Sequence, residues 1–216
     1  MAENQLYVVA TPIGNLADIT TRAQQVLEMV DIIAAEDTRH TKRLLSHLGF
    51  TKPLMAVHDH NEGYAAKSIL EKLEAGQNVA LVSDAGTPLI ADPGYHVTQE
   101  VVKAGFTIVP IPGPCAIITA LCAAALPTDR FLFDGFLAPK TSARKQYFES
   151  VKNEERTVVV YESPHRIQDS LKDLEAMLGA DKEIVLGREL TKAFETFLRA
   201  TVSEVLAVMT AGRNQL

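Results

Sequence analysis

The chain reads as an α/β protein of two lobes, in which strands alternate with helical crossovers. Short β-branched runs repeatedly end in Gly, Pro or Asp and give way to amphipathic stretches, the alternation of a largely parallel sheet covered by helices. The pattern also restarts after Pro127-Thr128-Asp129. That restart puts a boundary within residues 112–130 and divides the chain into lobes 1–115 and 116–216.

In chain order, the first lobe is expected to place strands over residues 6–10, 31–35, 54–58, 78–83 and 107–111. Helices fill the intervals at 20–30, 38–48, 63–75 and 95–104, each with apolar residues at three-to-four spacing. Gly49, Gly76 and Gly105 stand where three of these helices need a left-handed residue to stop. In the second lobe, strands are expected at 131–134, 157–161 and 183–186, with helices at 142–151 and 164–178. The stretch 203–209 is helical in pattern, and the sequence ends at Asn214-Gln215-Leu216 with no strand to follow, so the second sheet reads as unfinished.

Composition narrows the function. With 216 residues and 47% hydrophobic content the chain can bury a sizeable core without staples. Cys115 and Cys122 lie in an apolar stretch and form neither a disulfide framework nor a CxxC pair. The N-terminus lacks a basic region followed by an apolar run, and no segment has the length of uninterrupted apolar residues that a membrane span needs. The expectation is a soluble, unprocessed protein of a reducing, cytoplasmic compartment. A net charge of −6 argues against coating nucleic acid through an overall field, so any RNA contact must be local.

The loops therefore carry the functional signal. The densest runs from Ser83 through Asp84-Ala85-Gly86-Thr87-Pro88 to Asp92-Pro93-Gly94, after a strand that is apolar on both faces. Ligands of open α/β sheets bind at that carboxyl edge. Gly86 permits close backbone approach, Pro88 and Pro93 fix the loop, and Asp84 supplies a carboxylate. The bland alternative is a long connection, but loops of this length in compact domains are usually functional. A second loop, Pro110 to Ala116, leads into a small-residue helix whose first amides suit a carboxylate or polar ligand edge; Cys115 reads as pocket lining and not as a nucleophile. The first loop, Thr11-Pro12-Ile13-Gly14-Asn15, contains neither GxGxxG nor GxxxxGK, which weakens a dinucleotide fold, a P-loop NTPase and an ordinary Rossmann methyltransferase.

Arg39, Lys42 and Arg43 fall at i, i+3 and i+4 on one helical face, either a solvated face or a phosphate-contacting patch. Asp37 precedes that helix and reads equally as its cap. His58 and His60 flank Asp59 without the further ligands a metal site needs, which favours stacking or hydrogen bonding to a nucleotide over metal.

Taken together, these loops and the motifs Ala34-Ala35-Glu36-Asp37-Thr38-Arg39, His58-Asp59-His60-Asn61-Glu62, Glu162-Ser163-Pro164-His165-Arg166 and Gly187-Arg188-Glu189-Leu190-Thr191-Lys192 resemble the ribosomal RNA small subunit methyltransferase I family, of tetrapyrrole methylase fold. The resemblance runs from about Leu6 to Arg199. It implies two α/β lobes with S-adenosylmethionine in the cleft between them, a homodimer, and 2′-O-methylation of a decoding-centre cytidine of 16S rRNA in the small ribosomal subunit. Such proteins usually continue with another strand and a basic helical extension. By analogy with that fold, Asp84, Gly86, Thr87, Cys115, Ala116, Ile13 and Tyr161 line the cofactor. Candidate proton acceptors are Glu36, Asp37, Glu62, Glu189 and Lys192. The RNA-contacting set is Arg39, Lys42, Arg43, His58, His60, Arg166 and Arg188. Two alternatives stay open: a methylase of a tetrapyrrole or other small acceptor, because fold alone does not identify substrate, and a cofactor-sensing module without turnover.

Overall fold

The computed structural model describes residues 4–58 and 61–211. Asp59 and His60, and the terminal Asn214-Gln215-Leu216, lie outside the described residues. The chain divides into two compact units, Met1–Cys115 and Ala116–Leu216.

The first unit is a five-stranded sheet of β1 (Gln5–Val9), β2 (Ile32–Ala35), β3 (Leu54–Ala56), β4 (Val79–Val82) and β5 (Thr107–Ile111). They lie in the order β3-β2-β4-β1-β5, every pair parallel. The crossovers are α1 (Thr21–Met29), α2 (Thr38–Leu48), α3 (Glu62–Glu74) and α4 (Tyr95–Lys103). Helices α1 and α2 cover one face through Ala23, Val26, Leu27, Leu44 and Leu45, and α3 and α4 cover the other through Ala65, Ile69, Leu73, Val97 and Val101. Enclosure on both faces explains why the central strand β4, Val-Ala-Leu-Val, is buried at every position and shows no alternation. Thr20 caps α1 by accepting from Ala23 N–H at 3.1 Å. Gly49 ends α2 at φ +87°, and Gly76 and Gly105 follow α3 and α4 at +88° and +84°, the left-handed stops their positions suggested.

The second unit opens with α5 (Ala116–Ala124) and continues with β6 (Phe131–Phe136), α6 (Thr141–Ser150), β7 (Thr157–Tyr161) and α7 (Ile167–Leu178). It ends with β8 (Glu183–Arg188), β9 (Thr196–Thr201) and α8 (Val202–Ala211). Strands β6 and β7 pair in parallel, and β8 and β9 form an antiparallel hairpin. Sequence patterning leaves out β9, because its six residues carry no flanking Gly or Pro. The helix expected from Pro164 begins at Ile167, since Ser163–Arg166 is a turn closed by Arg166 N–H on Ser163 O at 3.0 Å. Strand β3 stops at Ala56, where Asn61 takes over both chain partners: its Oδ1 accepts from His58 N–H and its Nδ2 donates to Ala56 O.

Candidate functional site at the carboxyl edge of the first sheet

Three loops leave the first sheet at the carboxyl ends of adjacent strands β4, β1 and β5, and short hydrogen bonds lace them together. Thr11 and Gly86 exchange both backbone bonds, at 2.9 and 3.0 Å, so the loop after β1 is bridged to the loop after β4. The buried Thr11 hydroxyl also donates to Ser83 O at 3.2 Å. Thr87 Oγ1 donates to Pro114 O at 3.1 Å, tying the second loop to the third. Gly86 sits at φ +85°, and a Cβ there would lie 3.2 Å from Ile13 Cγ2. At Gly113 a Cβ would meet Ala10 Cβ at 3.0 Å. The loops that carry Ile13, Gly86, Thr87 and Gly113 therefore pack closely against one another. Cys115 is half-buried and unpaired at the end of this unit, and Ala116 opens α5.

Asp84 faces β2. Its Oδ1 accepts Asp37 N–H at 3.0 Å, while its own N–H donates to Glu36 Oε2 at 3.3 Å, so the ends of β2 and β4 are tied together. Asp37 caps α2: Oδ1 accepts from Arg39 N–H at 2.8 Å, and the carboxylate pairs with the Arg39 guanidinium at 2.7 Å. The Arg39 hydrogen bond holds the Asp37 carboxyl well below the ordinary aspartate range, leaving it weakly basic.

Glu62 is a clamp. Its Oε1 accepts from the N–H groups of Gly94, His96 and Val97 at 3.0, 2.7 and 3.4 Å, so a carboxylate from the first turn of α3 caps α4. The Ser83–Gly94 loop is thus held at both ends. Between them, Leu89 and Ala91 adopt φ of +72° and +66°, a region costly to residues with a Cβ. Glu62→Ala is expected to lower the melting temperature by a few degrees, about 1–2 kcal/mol, and to weaken cofactor binding. Glu62→Gln, which keeps the acceptor oxygen, should retain turnover; loss of kcat in the Gln variant at normal cofactor affinity would make Glu62 a proton acceptor instead.

Arg39, Lys42 and Arg43 lie exposed on α2, where they line shallow depressions with Asp37, His40 and Ser46. Among the described residues Lys42 and Arg43 form no ion pair, whereas Arg39 is shared with Asp37. His58 is exposed, and His60 lies outside the described residues.

In the second unit, Tyr161 ends β7 and stacks edge-on with Phe133 and Phe136, ring centroids 4.9 and 5.3 Å away. Arg166 is held to Glu162 at 2.8 Å, and Glu162 also accepts from Ser163 N–H and Ser170 Oγ. Arg188 ends β8. Glu189 and Lys192 pair at 3.0 Å within the hairpin loop, whose Glu189 and Thr191 have φ of +52° and +66°. Buried side-chain atoms lacking a hydrogen-bond partner among the described residues are Ser83 Oγ, Arg188 Nη1 and Thr191 Oγ1. No group of three or more His, Cys, Asp or Glu among the described residues could hold a metal ion, and no helix there is long and apolar enough to cross a membrane. Residue-by-residue reading named Thr11 only as the start of the first loop and missed its bridge to Gly86, and it missed the clamping role of Glu62.

Known proteins share this architecture. The family Tetrapyrrole (Corrin/Porphyrin) Methylases matches residues 5–206. The crystal structure of diphthine synthase superposes with a TM-score of 0.75 at 14% identity, covering 94% of this chain and 84% of its own. The methyltransferase CobJ superposes at 0.72 and 17%, covering 95% and 90%. These define the fold class as that of the tetrapyrrole methylases. The ribosomal RNA small subunit methyltransferase I of Escherichia coli O157:H7 is 55% identical over 99% of this chain and 75% of its own length. That of Synechocystis is 50% identical over 95% and 74%, and that of Pseudomonas aeruginosa 47% over 100% and 76%. The chain belongs to the ribosomal RNA small subunit methyltransferase I family of the tetrapyrrole methylases.

Proposed function

We propose that the chain transfers the methyl group of S-adenosylmethionine to a ribose 2′-hydroxyl, that of a decoding-centre cytidine of 16S rRNA in the small ribosomal subunit. The observation that carries this is the 47–55% identity to small subunit rRNA methyltransferases across nearly the whole chain. A small-acceptor methylase loses to it, because the porphyrinoid-type neighbours share the fold at only 14–17% identity. A sensing module loses because curated relatives this similar are named as methyltransferases.

The residues at the sheet edge fit the cofactor. Gly86 and Gly113 let the loops after β1, β4 and β5 pack closely at the carboxyl edge, since a Cβ at either would meet Ile13 or Ala10 at 3.2 or 3.0 Å, and Ser83 Oγ in the same loops is buried without a partner among the described residues. Ile13, Asp84, Gly86, Thr87, Cys115 and Ala116 are the proposed contacts, with Tyr161 from the second unit. S-adenosylmethionine supplies an electrophilic methyl carbon on a cationic sulfur. The Asp84 carboxylate favours that positive charge, and the laced loops fix where it lies. Much of the acceleration then comes from holding the acceptor oxygen in line with the methyl carbon. Of the proposed proton acceptors, Asp37 is weakened by Arg39, Glu62 is committed to three N–H groups, and Glu189 pairs with Lys192. Glu36, which accepts the Asp84 N–H at 3.3 Å at the end of β2, is the acceptor we favour because it lies against the proposed cofactor residue Asp84. A Glu36→Gln chain with wild-type kcat would remove it from this role.

Arg39, Lys42 and Arg43 are proposed as phosphate contacts, with His58, His60, Arg166 and Arg188 as further RNA-facing residues. Exchanging Arg39 and Arg43 for Glu should weaken subunit binding, flatten its salt dependence by about one unit of slope per lost phosphate contact, and leave cofactor affinity unchanged. The functional test incubates labelled cofactor with small subunits, with protein-free 16S rRNA and with a porphyrinoid acceptor. Label on a ribose oxygen of the subunit RNA is expected; label only on the porphyrinoid, or on a base, overturns the reading. A homodimer is also proposed, supported by apolar side chains of the second unit that stay exposed, Phe136 at 58% and Ile118 at 54%. A monomer mass by light scattering would refute it.

A further inference from the structure

Two aromatic side chains stand at the carboxyl edge of the first sheet without a part in the three loops. Tyr64, in the first turn of α3, is 79% exposed, and Tyr95, the first residue of α4, is 69% exposed. Both belong to one pinned junction: Glu62, two residues before Tyr64, binds the N–H groups of Gly94 and His96 on either side of Tyr95 at 3.0 and 2.7 Å. Lys67 is exposed one turn beyond Tyr64, on the same side of α3, and exposed His96 adjoins Tyr95. In the sheet, β2 lies between β3 and β4, so the opening turns of α2, α3 and α4 rise from three neighbouring strands. The loop after β4 therefore has the Arg39, Lys42 and Arg43 face towards α2, and the two rings with a lysine towards α3 and α4.

We infer that Tyr64 and Tyr95 form a stacking platform for unpaired bases of the RNA strand that carries the acceptor ribose. The inference rests on the reading of this chain as an RNA methyltransferase. A ribose hydroxyl is displayed by paired and unpaired RNA alike, but selective recognition of one nucleotide favours a locally unpaired strand, whose bases have lost their neighbours and expose their faces. Aromatic side chains recover that stacking whatever the base, while lysines beside them meet the phosphates. A chain of net charge −6 has little general electrostatic grip on RNA, and stacking adds affinity that needs no charge. The neighbouring cations select a polyanion over a second copy of this acidic chain as the occupant.

The sequence has no tryptophan, so Tyr64→Trp or Tyr95→Trp gives the full chain a single indole. Its fluorescence should be quenched by a single-stranded ribo-oligonucleotide, much less by a duplex of equal length, and not by S-adenosylhomocysteine alone. Tyr64→Ala and Tyr95→Ala should each raise KM for small subunits by roughly tenfold, with Phe at either position restoring it and cofactor Kd unchanged. Ala variants that methylate subunits at wild-type KM overturn the platform and leave the methyltransferase reading standing. A wild-type chain that methylates no RNA brings down both. Indole emission that follows protein concentration and ignores RNA assigns the face to a second copy and overturns the inference.

Discussion

Gly86→Val is expected to lower affinity for S-adenosylmethionine by on the order of a hundredfold while leaving the first unit folded. A β-branched residue cannot adopt φ +85° without strain, worth roughly 1–3 kcal/mol, and even its Cβ would press on Ile13 Cγ2 at 3.2 Å. Gly86 also makes the two backbone bonds to Thr11 that hold the first and second loops together. Relief of the strain must rotate the residue out of the left-handed region, which breaks this bridge and moves the loop that carries Asp84 and Thr87. The cost falls on loop geometry because Gly86, although buried, lies in the loop after β4 and not in the strand or its covering helices. Gly86→Ala separates the two contributions, since it imposes the backbone penalty with less bulk. Calorimetry with S-adenosylhomocysteine reads the effect, and far-UV circular dichroism checks the fold. A Val variant with wild-type Kd would show that the cofactor does not approach this backbone.

The first unit was legible in the sequence because each of its helices buries one stripe against a sheet covered on both faces. Periodicity in α1 to α4 and unbroken apolarity in β4 are direct consequences of that burial. Its loops were legible through Gly86, Pro88, Pro93 and Gly94, residues that bend the chain. The second unit was less so. The hairpin turn between β8 and β9 uses Glu189 and Thr191 at positive φ, where composition suggests no turn. The strand β9 behind it escaped notice for the same reason. What patterning could not supply was partnership across long separations. Glu62 could be named as a carboxylate of interest, but its three N–H partners lie more than thirty residues away and come within reach only once α3 and α4 pack together. Asp37 shows the opposite case. Its cap is local, to Arg39 two residues on, and the sequence offered it as an alternative from the start.

Asp173→Ala is expected to destabilise the second unit by about 3 kcal/mol or more. Arg144 is 2% exposed and Asp173 6%, unusual burial for two charged side chains. The guanidinium meets Asp173 Oδ2 through Nε at 2.9 Å and Nη2 at 2.6 Å. Its remaining donors reach Ala138 O, Pro139 O and Thr141 Oγ1, so one arginine joins α6, α7 and the turn after β6. Removing the carboxylate leaves a buried cation with carbonyl partners and no counter-charge, since exposed Lys145, 3.8 Å from Asp173, adds only positive charge. The attraction between the pair offsets the desolvation of both ions, so the loss should exceed the worth of the pair itself. Exchanging both residues together, Arg144→Met with Asp173→Leu, removes the charge problem and should recover more than half of the deficit. Urea titration of the three chains tests this, with probes of the two units followed separately because unfolding need not be two-state. A single-variant loss under 1 kcal/mol would mean that water or a shifted Glu reaches Arg144 and that the pair does not hold α6 to α7.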